Sequence, residues 1–149
     1  MIYVLYFIFL IFFVAPFSLL IHELGHMFGA VRMKATKIQL SIGTGKKLYE
    51  KDEAQFHIII RRLFLFHYAT ATVRDQPFTS KEKVVITLMG PVFNGIVAFI
   101  FFIIDLFFYE HLGIQLCMLF NFWLFFVNLI PFKIGQKQSD GYTIYRLFF

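Results

Sequence analysis

The chain has 149 residues, of which 59% are apolar, 21% are aromatic and only 15% are charged, and its mean hydropathy is +0.72. A composition this apolar excludes a soluble single-domain core and predicts a membrane protein. The formal charge of +5 does not indicate a nucleic-acid partner, because the lysines and arginines are confined to two segments that follow apolar stretches.

Three apolar stretches are long enough to cross a bilayer, since about 20 helical residues span its hydrocarbon layer. They cover about residues 2–31, 84–109 and 112–132. The first stretch has neither a basic leader nor a small-residue cleavage site, so we expect it to be retained. We therefore predict a single, mainly α membrane domain over residues 1–149, with three transmembrane helices.

The positions of the basic residues predict how the chain is oriented. Eleven lysines and arginines lie between Arg32 and Lys83, and the other three follow the third stretch. Three crossings put both segments on one side of the membrane, which the positive-inside rule makes cytoplasmic. We expect an integral protein of a bacterial plasma membrane, with its N-terminus outside.

Between the first two stretches the pattern changes from helix to strand. Residues 38–42 alternate apolar and polar side chains before a glycine-bearing turn at 43–45, which is typical of a strand and its turn. Further β-like runs follow at 56–60 and 68–73. We expect a small sheet over about residues 36–73, on the cytoplasmic side of the membrane.

Two local signals predict how the helices begin and bend. Thr79 followed three residues later by Glu82 is a capping box, which predicts that the second helix begins near Ser80. Pro16 lies inside the first stretch and cannot donate a backbone hydrogen bond, so we expect a kink there, just before the motif at 22–26.

The motif His-Glu-Leu-Gly-His at 22–26 carries the chemistry of a zinc site. His22 and His26 are four residues apart, so they project from one helix face and can bind one zinc through their imidazole nitrogens. Glu23 is placed as the general base that takes a proton from the attacking water. The alternative is that these polar residues merely end a helix at the interface, but polar clusters inside apolar helices are functional candidates by default.

A zinc protease site needs a third protein ligand and one open position. Asp140 is our candidate for this ligand, because two histidines and a carboxylate are a usual set. His57, His67 and Asp75 are the alternatives. Residues 139–141, Ser-Asp-Gly, can instead cap a short helix without binding metal.

Small residues recur every four positions on two of the predicted helices. Gly90, Asn94 and Ala98 form a narrow stripe on the second, and Gly25 and Gly29 form a matching face on the first. For the glycines we expect helix packing alone. The amide of Asn94 needs partners when buried, and it can reach the zinc site or a substrate carbonyl.

The predicted topology brings the polar clusters to one end of the three helices. The motif at 22–26 lies where the first helix exits, Asn94 near the start of the second, and residues 128–140 where the third exits. We therefore expect a zinc site at the cytoplasmic end of a three-helix core.

Together these residues resemble the site-2 protease family of intramembrane zinc metalloproteases. The resemblance rests on the following segments: His-Glu-Leu-Gly-His at 22–26, the glycine-bearing strand at 38–45, Gly-Pro-Val-Phe-Asn at 90–94, Asn-Leu-Ile-Pro at 128–131 and Asp-Gly at 140–141. It implies one Zn²⁺ per chain. It also implies these roles: metal ligands His22, His26 and Asp140, catalytic Glu23, substrate or oxyanion contact Asn94, and supporting residues Asn128 and Pro131.

The resemblance implies a zinc metalloendopeptidase that takes part in regulated intramembrane proteolysis, cutting transmembrane or membrane-attached proteins within the lipid bilayer near its cytoplasmic face. The run from Asn128 to Asp140 is several residues longer than in the family. The chain also has no room for the extra domains of many members. It looks like a minimal three-helix core that a membrane partner or a homo-oligomer completes.

A helical substrate must unwind before its carbonyls can be attacked. We expect the sheet edge around residues 38–42 to hold the unwound stretch as an added strand. The alternative function is a catalytically inactive zinc-binding membrane protein that acts as a scaffold or binding partner. Metal transport is disfavoured, because Asp105 is the one further ionisable candidate within the stretches and lies near the outer end of its helix.

Overall fold

The computed structural model describes residues 1–108 and 110–149, and it describes Phe64 and Phe66 by their backbone alone. The elements in chain order are α1 (Ile2–Arg32), β1 (Lys37–Asp52), β2 (Phe56–Val73), α2 (Ser80–Phe107), α3 (Leu112–Leu129), β3 (Lys133–Ile134), β4 (Lys137–Gln138) and α4 (Asp140–Tyr145). Helices α1, α2 and α3 are long and apolar enough to cross a membrane. The prediction of three such helices, with strands between the first and second, is confirmed.

Helix α1 changes its winding just before Pro16. It is α-helical over Ile2–Phe9 and again over Ala15–Arg32, but residues Leu10–Val14 form a π-turn. Proline has no N–H to donate to the carbonyl four residues earlier, and a π-turn is one way for a helix to accommodate such a break. The irregularity predicted at Pro16 therefore takes the form of a π-turn.

Helix α2 begins at Ser80, where the capping box predicted its start. The Thr79 hydroxyl accepts a hydrogen bond from the Glu82 backbone, and the Glu82 carboxylate accepts one from the Thr79 backbone N–H. The predicted end of this stretch at Tyr109 lies outside the described residues, and the helix ends at Phe107.

Helix α3 ends at Leu129, three residues before the predicted end at Phe132. Ile130 has an extended backbone with a ψ of 127°. A residue that precedes a proline is disfavoured in the helical region, and Pro131 follows Ile130. Proline chemistry therefore overrides the apolar pattern that extends the predicted helix.

The small residues of α1 and α2 bring the two helices close together, as predicted. A Cβ added at Gly25 would lie 2.7 Å from the backbone carbon of Met89, and one added at Gly29 would lie 2.9 Å from the Cα of Ile86. Neither space admits a methyl group. The two glycines therefore set the distance between the motif helix and α2, and α3 packs on α2 beyond them.

Strands β1 and β2 form an antiparallel hairpin of long strands. Residues 37–42 pair with residues 68–73, and residues 49–52 pair with residues 57–60. The three predicted runs lie side by side in this sheet, with residues 38–42 between 56–60 and 68–73. The strands are longer than predicted, because the segments that join these runs continue the extended backbone.

The segment 38–42 lies in the middle of this sheet. Leu40 is paired with Thr70 on one side and with Ile58 on the other. The expectation that 38–42 forms a free edge is therefore wrong, because both of its sides are taken by β2. Within the described part of the chain, no strand pairs with the other side of residues 68–73.

Arg74 ties the sheet to the helices. Its guanidinium donates to both carboxylate oxygens of Glu82 at 2.8 and 2.9 Å, and to the Met33 carbonyl at 2.9 Å. It also lies 4.3 Å from the ring centre of Phe78. These contacts join the end of α1, the end of β2 and the start of α2. They fix the sheet beside the motif helix.

Candidate metal centre

The two histidines of the motif point toward the same point in space. Their Nε2 atoms are 3.1 Å apart and their rings are nearly perpendicular. Nδ1 of His22 lies 2.7 Å from Oδ1 of Asn94, and Nδ1 of His26 lies 3.0 Å from the Ile86 carbonyl oxygen. Carbonyl oxygens only accept hydrogen bonds, so in each neutral imidazole ring Nδ1 carries the proton and Nε2 presents a lone pair.

Helix α4 brings Asp140 to these histidines. The Ser139 hydroxyl caps the helix by accepting a hydrogen bond from the Tyr142 backbone at 3.1 Å. Ser139 therefore performs the capping, and Asp140 is the first helical residue. The Asp140 carboxylate lies 3.0 Å from Nε2 of His22 and 3.5 Å from Nε2 of His26.

The three side chains together have the donor set of a zinc site. Oδ2 of Asp140 is buried, has no hydrogen-bond partner among the described residues and lies beside Nε2 of His22, which is an acceptor in the neutral ring. Acceptors that face each other in a buried site need a cation between them. Three ligand atoms, one each from His22, His26 and Asp140, lie within 4.8 Å of one another. Ligands of a tetrahedral zinc are about 3.4 Å apart, so spacing and chemistry both fit this ion.

The alternative third ligands do not join this group. His57 lies in β2 and pairs with Glu50 at 2.9 Å. His67 is exposed and lines the cavity beside the histidines, and Asp75 lies in the bend after β2. The one cluster of three potential metal ligands in the described part of the chain is His22, His26 and Asp140.

A cavity of about 450 Å³ opens onto the three side chains. Glu23, half-buried, lines it, as do Asn128 and Tyr68. Burial raises the pKa of the Tyr68 phenol, so this side chain faces the cavity as a neutral hydroxyl. The β3–β4 hairpin contributes Lys137 and Gln138 to the wall.

The structure gives Asn94 a different environment from the one implied by the resemblance. Asn94 is fully buried, and its Oδ1 is taken by His22. Its Nδ2 donates to the Ser18 carbonyl at 3.0 Å and to Oδ1 of Asn121 at 2.9 Å. With every N–H committed, the amide has no donor left for a substrate oxyanion.

Gly90 and Asn121 are two residues of the site whose roles the sequence did not predict. A Cβ at Gly90 would overlap the His26 ring, so this glycine serves the site as well as helix packing. The sequence feature that could have predicted this role is the four-residue spacing between Gly90 and Asn94, which contacts His22. For Asn121 the feature is an amide inside an apolar helix, which needs a hydrogen-bond partner when it is buried.

The residues predicted to support the site lie at the end of α3. Asn128 is half-buried in the cavity wall, and its Nδ2 donates to the Leu124 carbonyl at 3.0 Å. Pro131 is exposed and follows the last turn of the helix. The long run from Asn128 to Asp140 is occupied by the β3–β4 hairpin, which turns the chain back toward the histidines.

Three helices that are long and apolar enough to cross a membrane, and a His-His-Asp cluster that could hold a metal ion, define the class as a membrane protein with a candidate metal centre. The sequence model of the family described as peptidase family M50 matches residues 6–112, which is more than two thirds of the chain. The chain belongs to this family, the site-2 protease family of membrane metalloproteases. The match includes the motif and Asn94 but ends before Asp140. No curated protein matches the chain.

Proposed function

We propose that the chain is an intramembrane zinc metalloprotease that hydrolyses peptide bonds of transmembrane or membrane-attached proteins near the cytoplasmic face. The observation that carries this proposal is the convergence of three lone-pair donors, from His22, His26 and Asp140, on one point beside Glu23. Membership of a metallopeptidase family supports it.

In this proposal, His22, His26 and Asp140 hold one Zn²⁺ and leave one position open for reactants. A bound zinc ion lowers the pKa of water to about 7 and polarises a substrate carbonyl. Nδ1 of each histidine is hydrogen-bonded, to Asn94 or to the Ile86 carbonyl, which leaves both Nε2 atoms for the metal.

Glu23 is the general base of the proposed reaction. Its position next to His22 and in the cavity wall suits a carboxylate that accepts a proton from the attacking water and passes it to the leaving amine. Two neutral donors line the same cavity: the Tyr68 hydroxyl and the second N–H of the Asn128 amide. We assign to them the hydrogen bonds to the substrate carbonyl oxygen.

The substrate would bind along residues 68–73 of β2. Ala69 and Thr70 line the cavity, and no described strand pairs with their outer side. The Thr70 hydroxyl donates to the Glu23 backbone carbonyl at 3.3 Å, which holds this edge against the motif. An unwound substrate added here as a strand would pass beside the proposed base.

Proline scanning tests this binding mode. Successive backbone N–H groups of a strand point to opposite edges, so proline at one of positions 69 and 70 removes an outward donor. We expect one of Ala69→Pro and Thr70→Pro to abolish cleavage while zinc binding persists. Normal cleavage by both variants would show that the substrate does not pair with this edge.

The basic segments support an orientation with the N-terminus outside and the site toward the cytoplasm. Labelling with a membrane-impermeant thiol reagent tests it, in a chain that carries Cys117→Ala and Lys51→Cys. We expect labelling after the membrane is opened but not in intact cells. Labelling in intact cells would reverse the orientation.

The Glu23→Gln variant tests catalysis itself. The purified protein and this variant would be incubated with single-span membrane proteins, and new peptide termini would be identified by mass spectrometry. An enzyme loses cleavage on this substitution and keeps its zinc, because the amide cannot accept the proton. A protein that binds zinc and partners but forms no new termini in either form would instead be a scaffold.

A further inference from the structure

Three polar side chains from three different helices meet in the interior, away from the cavity. Ser18 of α1, Asn94 of α2 and Asn121 of α3 are each at most 2% exposed. Polar groups inside an apolar membrane domain are costly unless each finds a partner. Ser18 and Asn121 do not line the cavity, so neither is placed to contact a substrate.

Backbone carbonyls decide which way the two amides face. Nδ2 of Asn121 lies 2.8 Å from the Cys117 carbonyl oxygen, and Nδ2 of Asn94 lies 3.0 Å from the Ser18 carbonyl oxygen. These oxygens can only accept, so an amide nitrogen must face each of them. The opposite amide orientation would place two oxygens against each other, and the network excludes it.

The orientation of the amides then determines the proton on His22. Oδ1 of Asn121 accepts from Nδ2 of Asn94 at 2.9 Å, and the Ser18 hydroxyl accepts from Nδ2 of Asn121 at 2.9 Å. Oδ1 of Asn94 is left facing Nδ1 of His22. An oxygen at 2.7 Å requires a proton on that nitrogen, so the lone pair is on Nε2.

We propose that Ser18, Asn94 and Asn121 form a positioning network that holds His22 in its metal-binding tautomer and orientation. His26 relies on a single backbone carbonyl for the same purpose, whereas His22 depends on side chains from all three helices. Metal affinity therefore depends on the packing of α3, which supplies none of the three ligands. The inference rests on the zinc site proposed above and gives Asn94 a positioning role instead of a substrate contact.

Two leucine substitutions test the network, because leucine has a similar volume and no hydrogen-bonding atoms. Loss of a residue that hydrogen-bonds a metal ligand lowers metal affinity by about 10–100-fold. We therefore expect Asn94→Leu to weaken zinc binding within that range. Asn121→Leu should weaken it less, by up to about 10-fold, because Asn94 keeps its bond to the Ser18 carbonyl. Zinc affinity would be measured by competition with a chelator in detergent.

A spectroscopic measurement separates positioning from simple packing. Ring ¹⁵N NMR of the zinc-free protein, followed upward in pH until each ring holds a single proton, reports which nitrogen carries that proton. His22 is assigned with the variant His22→Gln. We expect Nδ1–H alone in the wild-type protein and a mixture of tautomers in Asn94→Leu, which removes the oxygen that faces Nδ1. Unchanged tautomer and unchanged zinc affinity would overturn the proposal.

The matched control is Gln115→Leu on the same helix. The Gln115 amide also bridges α3 to α2, through a hydrogen bond to Asp105 at 3.4 Å, which lies outside the network of Ser18, Asn94 and Asn121. We expect this variant to keep the tautomer and the zinc affinity of the wild type. If Asn121→Leu does not fold, Ser18→Ala removes only the hydroxyl that accepts from Asn121, and it should weaken zinc binding in the same direction.

The outcomes separate this proposal from the proposed function. Neither readout involves cleavage, so a protein that binds zinc without cleaving anything can still confirm the network. If Asn94→Leu abolishes cleavage with unchanged zinc affinity, Asn94 contacts the substrate and the network proposal is wrong. If His22→Gln itself binds zinc normally, the proposed metal site is the part that fails.

Discussion

The Cα of Gly90 faces the imidazole of His26 at a distance that no larger residue permits. An added Cβ would lie 2.5 Å from Nε2 of His26 and 3.0 Å from Cε1 of His22. Both rings are held from behind by hydrogen bonds to Asn94 and Ile86, so they cannot move away without losing them. This glycine leaves the space in which both Nε2 lone pairs can meet.

Alanine at Gly90 should therefore disrupt the metal site more than the fold. We expect Gly90→Ala to reduce zinc affinity by at least about 10-fold, as for the loss of an orienting partner. The control is Gly95→Ala on the same helix, where a Cβ would lie 3.1 Å from the Phe125 ring, which can turn. Equal zinc content in the two purified variants would contradict the prediction.

Removing the Asp140 carboxylate should empty the proposed zinc site. The wild-type protein should hold about one zinc per chain. Asp140→Ala should lower zinc affinity by more than about 100-fold, which exceeds the loss expected when a residue that only hydrogen-bonds a ligand is removed. The measurement is metal content after purification in detergent. His67→Ala and Asp75→Ala are controls that should retain zinc, and loss of zinc in either would move the third ligand to that residue.

Loss of the Ser139 hydroxyl should weaken both α4 and the metal site. This hydroxyl caps the helix and also donates to the Ile130 carbonyl at 2.7 Å. We expect Ser139→Ala to destabilise the protein by about 1 kcal/mol, the usual value of a helix cap, and to weaken zinc binding because Asp140 follows it. Thr79→Ala removes the cap of α2 instead, so it should lower stability without changing zinc affinity. Identical effects of the two variants on zinc would argue against this link.

Arg74 should stabilise the protein through the hydrogen bonds that attach the sheet to the helices, and not through its positive charge alone. Arg74→Lys keeps the positive charge but cannot donate to two carboxylate oxygens and the Met33 carbonyl at once. We expect a lower midpoint of thermal unfolding, followed by circular dichroism. Lys51→Gln removes the exposed ion pair with Glu53 and should leave the midpoint unchanged. A similar midpoint for Arg74→Lys and the wild type would show that the ion pair contributes little.

The features that the sequence determined by itself are local ones. The three spans depend on the length of apolar runs, the start of α2 on the spacing of Thr79 and Glu82, and the shared face of His22 and His26 on helix geometry. Each relation acts over a few residues or one continuous element, so no distant part of the chain can alter it. The early end of α3 at Leu129 could also have been predicted in this way, because Pro131 disfavours a helical backbone at the residue before it.

The remaining features were decided by the tertiary structure, because they join residues far apart in the chain. The sequence offered four candidates for the third ligand, and the packing of α4 against α2 and α3 brings the carboxylate of Asp140 to the histidines. The free edge of the sheet depended on a long-range register, which put 38–42 inside and 68–73 outside. The partner of Asn94 likewise depended on where α1 and α3 lie, because an amide accepts whichever groups the helix packing presents to it.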